Sequence, residues 1–249
     1  TLTSRAFYNN VLGEYEKFIT TMFGYDKVLP MNTGAEGVET ALKLARKWGY
    51  EKKGVAVNTA KIIVCEGNFH GRTISIVSAS TDPDARMDFG PCTPGYITIP
   101  YNNTAALADA LKDTTVVGFL MEPIQGEGGY VVAPDNFLRE LRGICDRHGI
   151  MLVADEVQSG AGRTGKWWAI QHSGVEPDIV CSAKGIASGM PLGVCMSKAE
   201  VMDWVPGSHA STFGGNPVSI AAALATIEIL QREAIGNAAS VGAKMMDRL

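Results

Sequence analysis

Five groups of residues in this chain have types and spacing that could do chemistry. Lys184 follows the apolar run Asp178-Ile179-Val180-Cys181 closely and precedes Gly185-Ile186-Ala187-Ser188-Gly189. A lysine desolvated at a strand end is a nucleophile that condenses with carbonyls; on position alone it is equally a surface lysine opening a helix. Asp155 ends the apolar run 150–154. A carboxylate there needs a cationic partner or several donors. An arginine, a helix cap or a protonated heterocyclic nitrogen would each serve, and Gln158 stands three residues on to meet a ring oxygen. Asn32-Thr33-Gly34-Ala35-Glu36 opens a helical pattern with small residues. Its first-turn amides and the helix dipole favour an anion, and the pattern is neither a P-loop nor GxGxxG, so it suits a single phosphate or a plain capped turn. In Phe69-His70-Gly71-Arg72 the aromatic can stack on a flat ring, and Arg72 offers a planar fork for a carboxylate. The alternative is a core Phe and a surface Arg; for His70 itself a packing or supporting role is expected. Ser211 and Thr212, in a loop before a helix, bring hydroxyls for a phosphate or for capping.

Together these groups comprise an amine nucleophile, a carboxylate for a ring nitrogen, a ring stacker, a phosphate turn and a carboxylate fork. That set matches the needs of pyridoxal 5'-phosphate. A metal centre, a serine triad or a hydride carrier would need other parts. The four His and five Cys lack zinc-ligand spacing, and the widely spaced Cys read as buried or inert thiols of a reducing compartment. A net charge of -4 argues against a nucleic-acid partner. No apolar run reaches the roughly 18 residues of a membrane span.

The elements that must position these groups follow from periodicity. Apolar residues at helical spacing predict helices over 4–23, about 35–49, 104–112, 134–148 and 216–232. Nearly continuous apolar runs at 61–65, 74–79, 116–121, 150–154, 178–181 and 193–196 read as strands buried on both faces. Strands alternating with helices imply crossover connections, so the fold class is α/β: a three-layer α/β/α sandwich with a mostly parallel sheet. Sites in such sheets lie beyond the carboxyl ends of the strands, where Glu66–Arg72, Glu122–Glu127, Asp155–Gln158 and Ser182–Lys184 fall. At 249 residues with 46% hydrophobic composition, one large domain is expected. The opening TLTSRAFYNN and the closing SVGAKMMDRL both read as interior positions of a longer protein.

The stretch Leu152-Val153-Ala154-Asp155-Glu156-Val157-Gln158-Ser159-Gly160, with Gly162-Arg163-Thr164-Gly165, Pro177-Asp178-Ile179 and Ala183-Lys184-Gly185, resembles the class III pyridoxal-phosphate aminotransferases of fold type I. The likeness extends over essentially the whole chain. It implies that Lys184 is the Schiff-base lysine, that Asp155 meets the pyridinium nitrogen, and that Gln158 lies near the ring hydroxyl. It implies further that Phe69 stacks on the ring and that Gly34 and Ala35 hold the phosphate. Glu156, Val157 and Ser211 are expected at the cofactor too. Thr212 would reach the phosphate in a second subunit, making the active form a homodimer or larger. Residues 1–249 would be the cofactor-binding large domain, with most of the small domain, built from both termini, outside the chain.

Within that family, Leu2–Asn10, Met31–Gly34, Arg46–Tyr50 and Phe89–Pro91 are similar to the ornithine-handling branch. The implied reaction moves the δ-amino group of ornithine to a 2-oxo acid such as 2-oxoglutarate. Arg72 would grip the α-carboxylate, and Glu127 would mask an arginine beyond the chain. Departures around Lys184 and along 204–213 resemble the 4-aminobutyrate branch, and His70 also fits the acetylornithine enzymes. Acetylornithine and 4-aminobutyrate are therefore the alternative donors, with racemisation on the same scaffold behind them. The implied compartment is the cytoplasm, or the mitochondrial matrix if a transit peptide precedes the chain.

Overall fold

The computed structural model describes residues 9–134 and 136–249. In chain order its elements are α1 (Asn10–Phe23), β1 (Lys27–Met31), α2 (Gly34–Trp48), β2 (Lys61–Cys65), α3 (Ile74–Val77), α4 (Pro83–Arg86), β3 (Tyr96–Ile99), α5 (Thr104–Ala110), β4 (Val116–Met121), β5 (Ile124–Gln125), β6 (Val131–Val132), α6 (Phe137–His148), β7 (Met151–Asp155), β8 (Ile179–Ser182), β9 (Gly193–Ser197), α7 (Pro217–Ile229) and α8 (Ile235–Met246). Seven strands form one sheet in the order β1-β9-β8-β7-β4-β2-β3, and β5 pairs with β6 as a separate ribbon. The pairs β2–β3, β2–β4, β4–β7 and β7–β8 are parallel, while β9 runs antiparallel to both β8 and β1. The expected α/β sandwich with a mostly parallel sheet is what the chain forms.

Two apolar cores lie on the two faces of this sheet, and the strands feed them by alternation. Ile63, Cys65, Phe119, Met121, Leu152, Ala154, Val180, Val194 and Met196 enter the core that also receives Tyr15, Leu141 and Ile220 from α1, α6 and α7. Ile62, Val64, Val117, Leu120, Met151, Val153, Ile179, Cys181 and Cys195 enter the other, against Val38, Leu42 and Ala45 of α2. Burial on both faces explains why these strands are apolar without a polar alternation. Each fully buried Ile, Leu or Phe contributes roughly 1.5–3 kcal/mol, so the strand ends that carry the polar groups are firmly held.

Several expectations need correction. The run 74–79 is not a strand: Ile74–Val77 is a helical turn, with Val77 N donating to Thr73 O at 2.9 Å and Ser78 N to Ile74 O at 3.3 Å. A short apolar run suits a buried turn as well as a strand, and periodicity cannot separate them. β1 and β3 were not among the expected strands. Pro30 interrupts β1, which is an edge strand where proline is tolerated. β7 ends at Asp155 itself, one residue beyond the expected run. The expected first helix from residue 4 lies partly outside the described residues, as does Asp135 in the stretch 134–148. Among the described residues all five Cys are free, four of them buried, and only Cys92 is exposed. No described helix is long and apolar enough to cross a membrane.

Candidate active site

The carboxyl ends of β1, β7 and β8, together with the segment after β2, open onto one cavity of 290 Å³. Gly34, Ala35, Phe69, Asp155, Val157, Gln158 and Lys184 all line it. These seven residues, separated by up to 150 positions in sequence, are brought together. A second cavity of 470 Å³ shares Val157, Gln158 and Lys184 with the first and adds Tyr130, Ala161, Arg163 and Thr164. Lys184 therefore stands between two spaces.

The turn before α2 is built by reciprocal capping. Thr33 Oγ1 accepts from Glu36 N at 3.2 Å, and Glu36 Oε2 accepts from the amides of Asn32 at 2.8 Å and Thr33 at 2.9 Å. This capping box satisfies the Glu36 amide, and it leaves Gly34 and Ala35, whose first-turn amides have no intrahelical acceptor, at the cavity wall. Gly34 must be small, because a Cβ there would stand 2.7 Å from Val157 Cγ1. Ser211 joins this turn, its Oγ accepting from Asn32 Nδ2 at 2.7 Å, whereas Thr212 is exposed and makes no part of the cavity wall.

Asp155 is 3% exposed. Its Oδ2 lies 2.7 Å from His70 Nδ1, and its Oδ1 accepts from Val157 N at 3.0 Å. His70 Nε2 is buried without a hydrogen-bond partner. A buried carboxylate and an orphaned ring nitrogen beside an open cavity are costly unless something polar occupies that space. His70 thus has the supporting role that the sequence left open. Phe69 is held by its backbone, its N–H donating to Glu122 Oε1 at 2.9 Å, and the Arg72 guanidinium lies 5.6 Å from the Phe69 ring centre. Lys184 adopts a left-handed backbone, φ +46°, a conformation that a residue other than glycine takes only at a cost.

Other expected residues sit off the cavity wall. Glu156 is fully buried and turned to the segment after β7, where it accepts from Ser159 Oγ at 2.5 Å, Ile170 N at 2.9 Å and Ala169 N at 3.0 Å. Burial pushes its carboxyl up to about 7 against the pull of those donors. Glu127 is exposed and accepts from Gln158 Nε2 at 3.3 Å, so it flanks the cavity through Gln158. Arg72 is exposed and lies beside the cavity over the Phe69 ring, not on its wall.

Among the wall residues without an assigned role from sequence, Glu122 carries a charge-bearing group. Glu122, 3% exposed, bonds the amides of Phe69 and Gly126, and burial pushes its carboxyl up to about 7. Its place at the end of β4 was visible in sequence, but its contacts were not. No cluster of three or more potential metal ligands occurs among the described residues.

A mostly parallel sheet with a lysine, a buried aspartate and an anion turn around one cavity defines a fold-type I cofactor site. The chain belongs to the class-III aminotransferases, whose family model matches residues 1–249. It is 50% identical to the mitochondrial ornithine aminotransferase of Rattus norvegicus, over all of this chain and 57% of that protein. The structure of the ornithine aminotransferase from Toxoplasma gondii ME49 superposes with a TM-score of 0.96 at 45% identity, over 98% of this chain and 58% of that one. The acetylornithine aminotransferase of Elizabethkingia anophelis is 47% identical over 93% of this chain and 55% of that one, with a TM-score of 0.80. The chain spans less than two thirds of the length of these relatives.

Proposed function

We propose that the whole protein, of which this chain supplies the cofactor-binding large domain, transfers the δ-amino group of ornithine to a 2-oxo acid such as 2-oxoglutarate. The products are glutamate semialdehyde and glutamate. The observation that carries this reading is the convergence of Lys184, Asp155, Phe69 and the Gly34–Ala35 turn on one cavity, in a chain half identical to ornithine aminotransferase.

The residues fit pyridoxal 5'-phosphate. The Gly34 and Ala35 amides and the dipole of α2 suit its phosphate, and Ser211 adds a hydroxyl beside them. Phe69 and Val157 suit its ring, Gln158 its ring oxygen, and the buried Asp155 a protonated ring nitrogen. When bound, this cofactor supplies a covalent carrier for the amino group and an electron-accepting ring.

The protein's share is positioning and proton movement. His70 and the Val157 amide keep Asp155 aimed, so that a cationic ring nitrogen meets a fixed charge. Lys184, which lines both cavities, is the base that takes the proton from the amine-bearing carbon of the substrate. The 470 Å³ cavity on its far side is the substrate space, with Glu127 at its edge through Gln158 and Arg72 near the ring stacker as the carboxylate grip.

The exposure of Thr212 and Phe213 supports a homodimer in which Thr212 serves the phosphate in the other subunit. The mitochondrial location in the rat relative's name supports the matrix over the cytoplasm. The Elizabethkingia likeness favours acetylornithine as the second donor.

A panel of ornithine, acetylornithine, 4-aminobutyrate and lysine on the full-length protein tests the donor. Ornithine is expected to yield semialdehyde dependent on 2-oxoglutarate, and its failure beside an active acetylornithine would reassign the substrate. Lys184→Ala is expected to abolish both turnover and borohydride-stable attachment of the cofactor. Full activity in that variant would end the proposal.

A further inference from the structure

We propose that His209 is a positioning residue for the phosphate end of the site: it latches the loop carrying Ser211 and Thr212 to the side of α2. This inference rests on the cofactor reading above and goes beyond it, since His209 neither lines the cavity nor belongs to the expected site.

Glu36, Thr40 and Lys43 stand at helical spacing of four and three, so they share one ridge of α2. Glu36 belongs to the capping box at the phosphate turn. His209 sits across the other two. Its Nδ1 lies 2.9 Å from Lys43 Nζ, and its Nε2 lies 2.8 Å from Thr40 Oγ1. An ammonium can only donate, so Nδ1 is the acceptor and Nε2 carries the hydrogen. Thr40 Oγ1 then accepts from Nε2 and passes its own hydrogen to Glu36 O at 2.7 Å. Donors and acceptors along this relay agree in direction when the His209 hydrogen sits on Nε2.

Two further contacts close the latch. Lys43 Nζ also donates to Ser208 O at 3.2 Å, and the Trp204 ring stacks on His209 at 5.3 Å and 22°. Two residues on, Ser211 Oγ accepts from Asn32 Nδ2. The loop is thus tied to α2 at its phosphate turn and again one to two helical turns further along. Residues 210, 212 and 213 between and beyond these ties are exposed, and Gly214 N closes the loop on Ser211 Oγ at 3.3 Å, so the His209 tie is the upstream hold on Thr212.

A latch acting on the phosphate predicts a selective loss. In the full-length protein, His209→Ala is expected to weaken pyridoxal 5'-phosphate binding by about tenfold, the scale of one or two lost hydrogen bonds. Binding of pyridoxal, which lacks the phosphate, should change less than twofold. The turnover number at saturating cofactor should be retained. His209→Gln, which restores a donor to Thr40, should recover part of the loss. Lys43→Met, on an exposed side chain, should weaken the phosphorylated form in the same direction. Equal losses for both cofactor forms, or none in either, would overturn the latch. Absence of any borohydride-stable attachment in the wild type would instead sink the cofactor reading, and this proposal with it.

Discussion

Asp155 stood out in sequence because it follows a run so apolar that an ionisable group there needs a reason, and it is buried, whereas Lys184 is exposed at the start of a short helical turn, as a surface lysine opening a helix would be. Their partners were not legible. The bond from His70 to Asp155 joins positions 85 apart, and the hold of Glu122 on Phe69 joins positions 53 apart. Glu156 shows the limit of a motif: it stands beside Asp155 in sequence, yet its carboxylate serves the Ala169–Ile170 turn. In Glu156→Gln the amide NH2 must face one of two backbone donors, so a loss of about 1–3 kcal/mol is expected in denaturant unfolding. Glu122 carries a pH signature. Its carboxyl is raised from 4.5 to about 7, so folding tightens its proton. The stabilising contribution is full below about pH 4.5 and is lost as the pH rises through about 7. Denaturant titrations of the cofactor-free full-length protein should therefore show wild type losing stability across that window relative to Glu122→Gln. A parallel pH dependence in the two proteins would refute it.

At the scale of elements, the doubly buried strands β2, β4, β7, β8 and β9 announced themselves as unbroken apolar runs. β1 and β3 did not, because β1 contains Pro30 and β3 alternates through the exposed Thr98. The run 74–79 misled through its β-branched content, since a half-buried helical turn with Ile76 and Val77 facing the core and a short strand look alike. β9 also has a role that its sequence hides. Its first residue, Gly193, passes so close to the turn before α2 that a Cβ would fall 1.9 Å from Thr33 O, backbone against backbone. Gly193→Ala must displace one of the two. The expected cost is about 1–3 kcal/mol of overpacking, seen as a lower melting temperature, together with faster loss of bound cofactor. A variant that keeps its cofactor as wild type does would show that the turn tolerates the shift.

For the molecule as a whole, the sandwich followed from strand and helix alternation, and the cavity's position followed from the rule that parallel sheets bind at their carboxyl ends. The assembly did not follow. Phe213 is 51% exposed next to Thr212, and in a homodimer that ring would be covered. On the proposed homodimer, Phe213→Asp in the full-length protein should shift sedimentation from dimer toward monomer as the sample is diluted, whereas an unchanged dimer would place the interface elsewhere and a monomeric wild type would end the dimer proposal. The sheet order has a last consequence. β8, which leads to Lys184, and β1, which leads to the anion turn, are separated by the single strand β9. At about 4.8 Å per strand, the two proposed anchors are set roughly 10 Å apart by backbone hydrogen bonds across the sheet. The sheet is a gauge for molecular length. A coenzyme homologue with one extra methylene between ring and phosphate should bind at least about tenfold more weakly than the natural one, having no way to stretch its host.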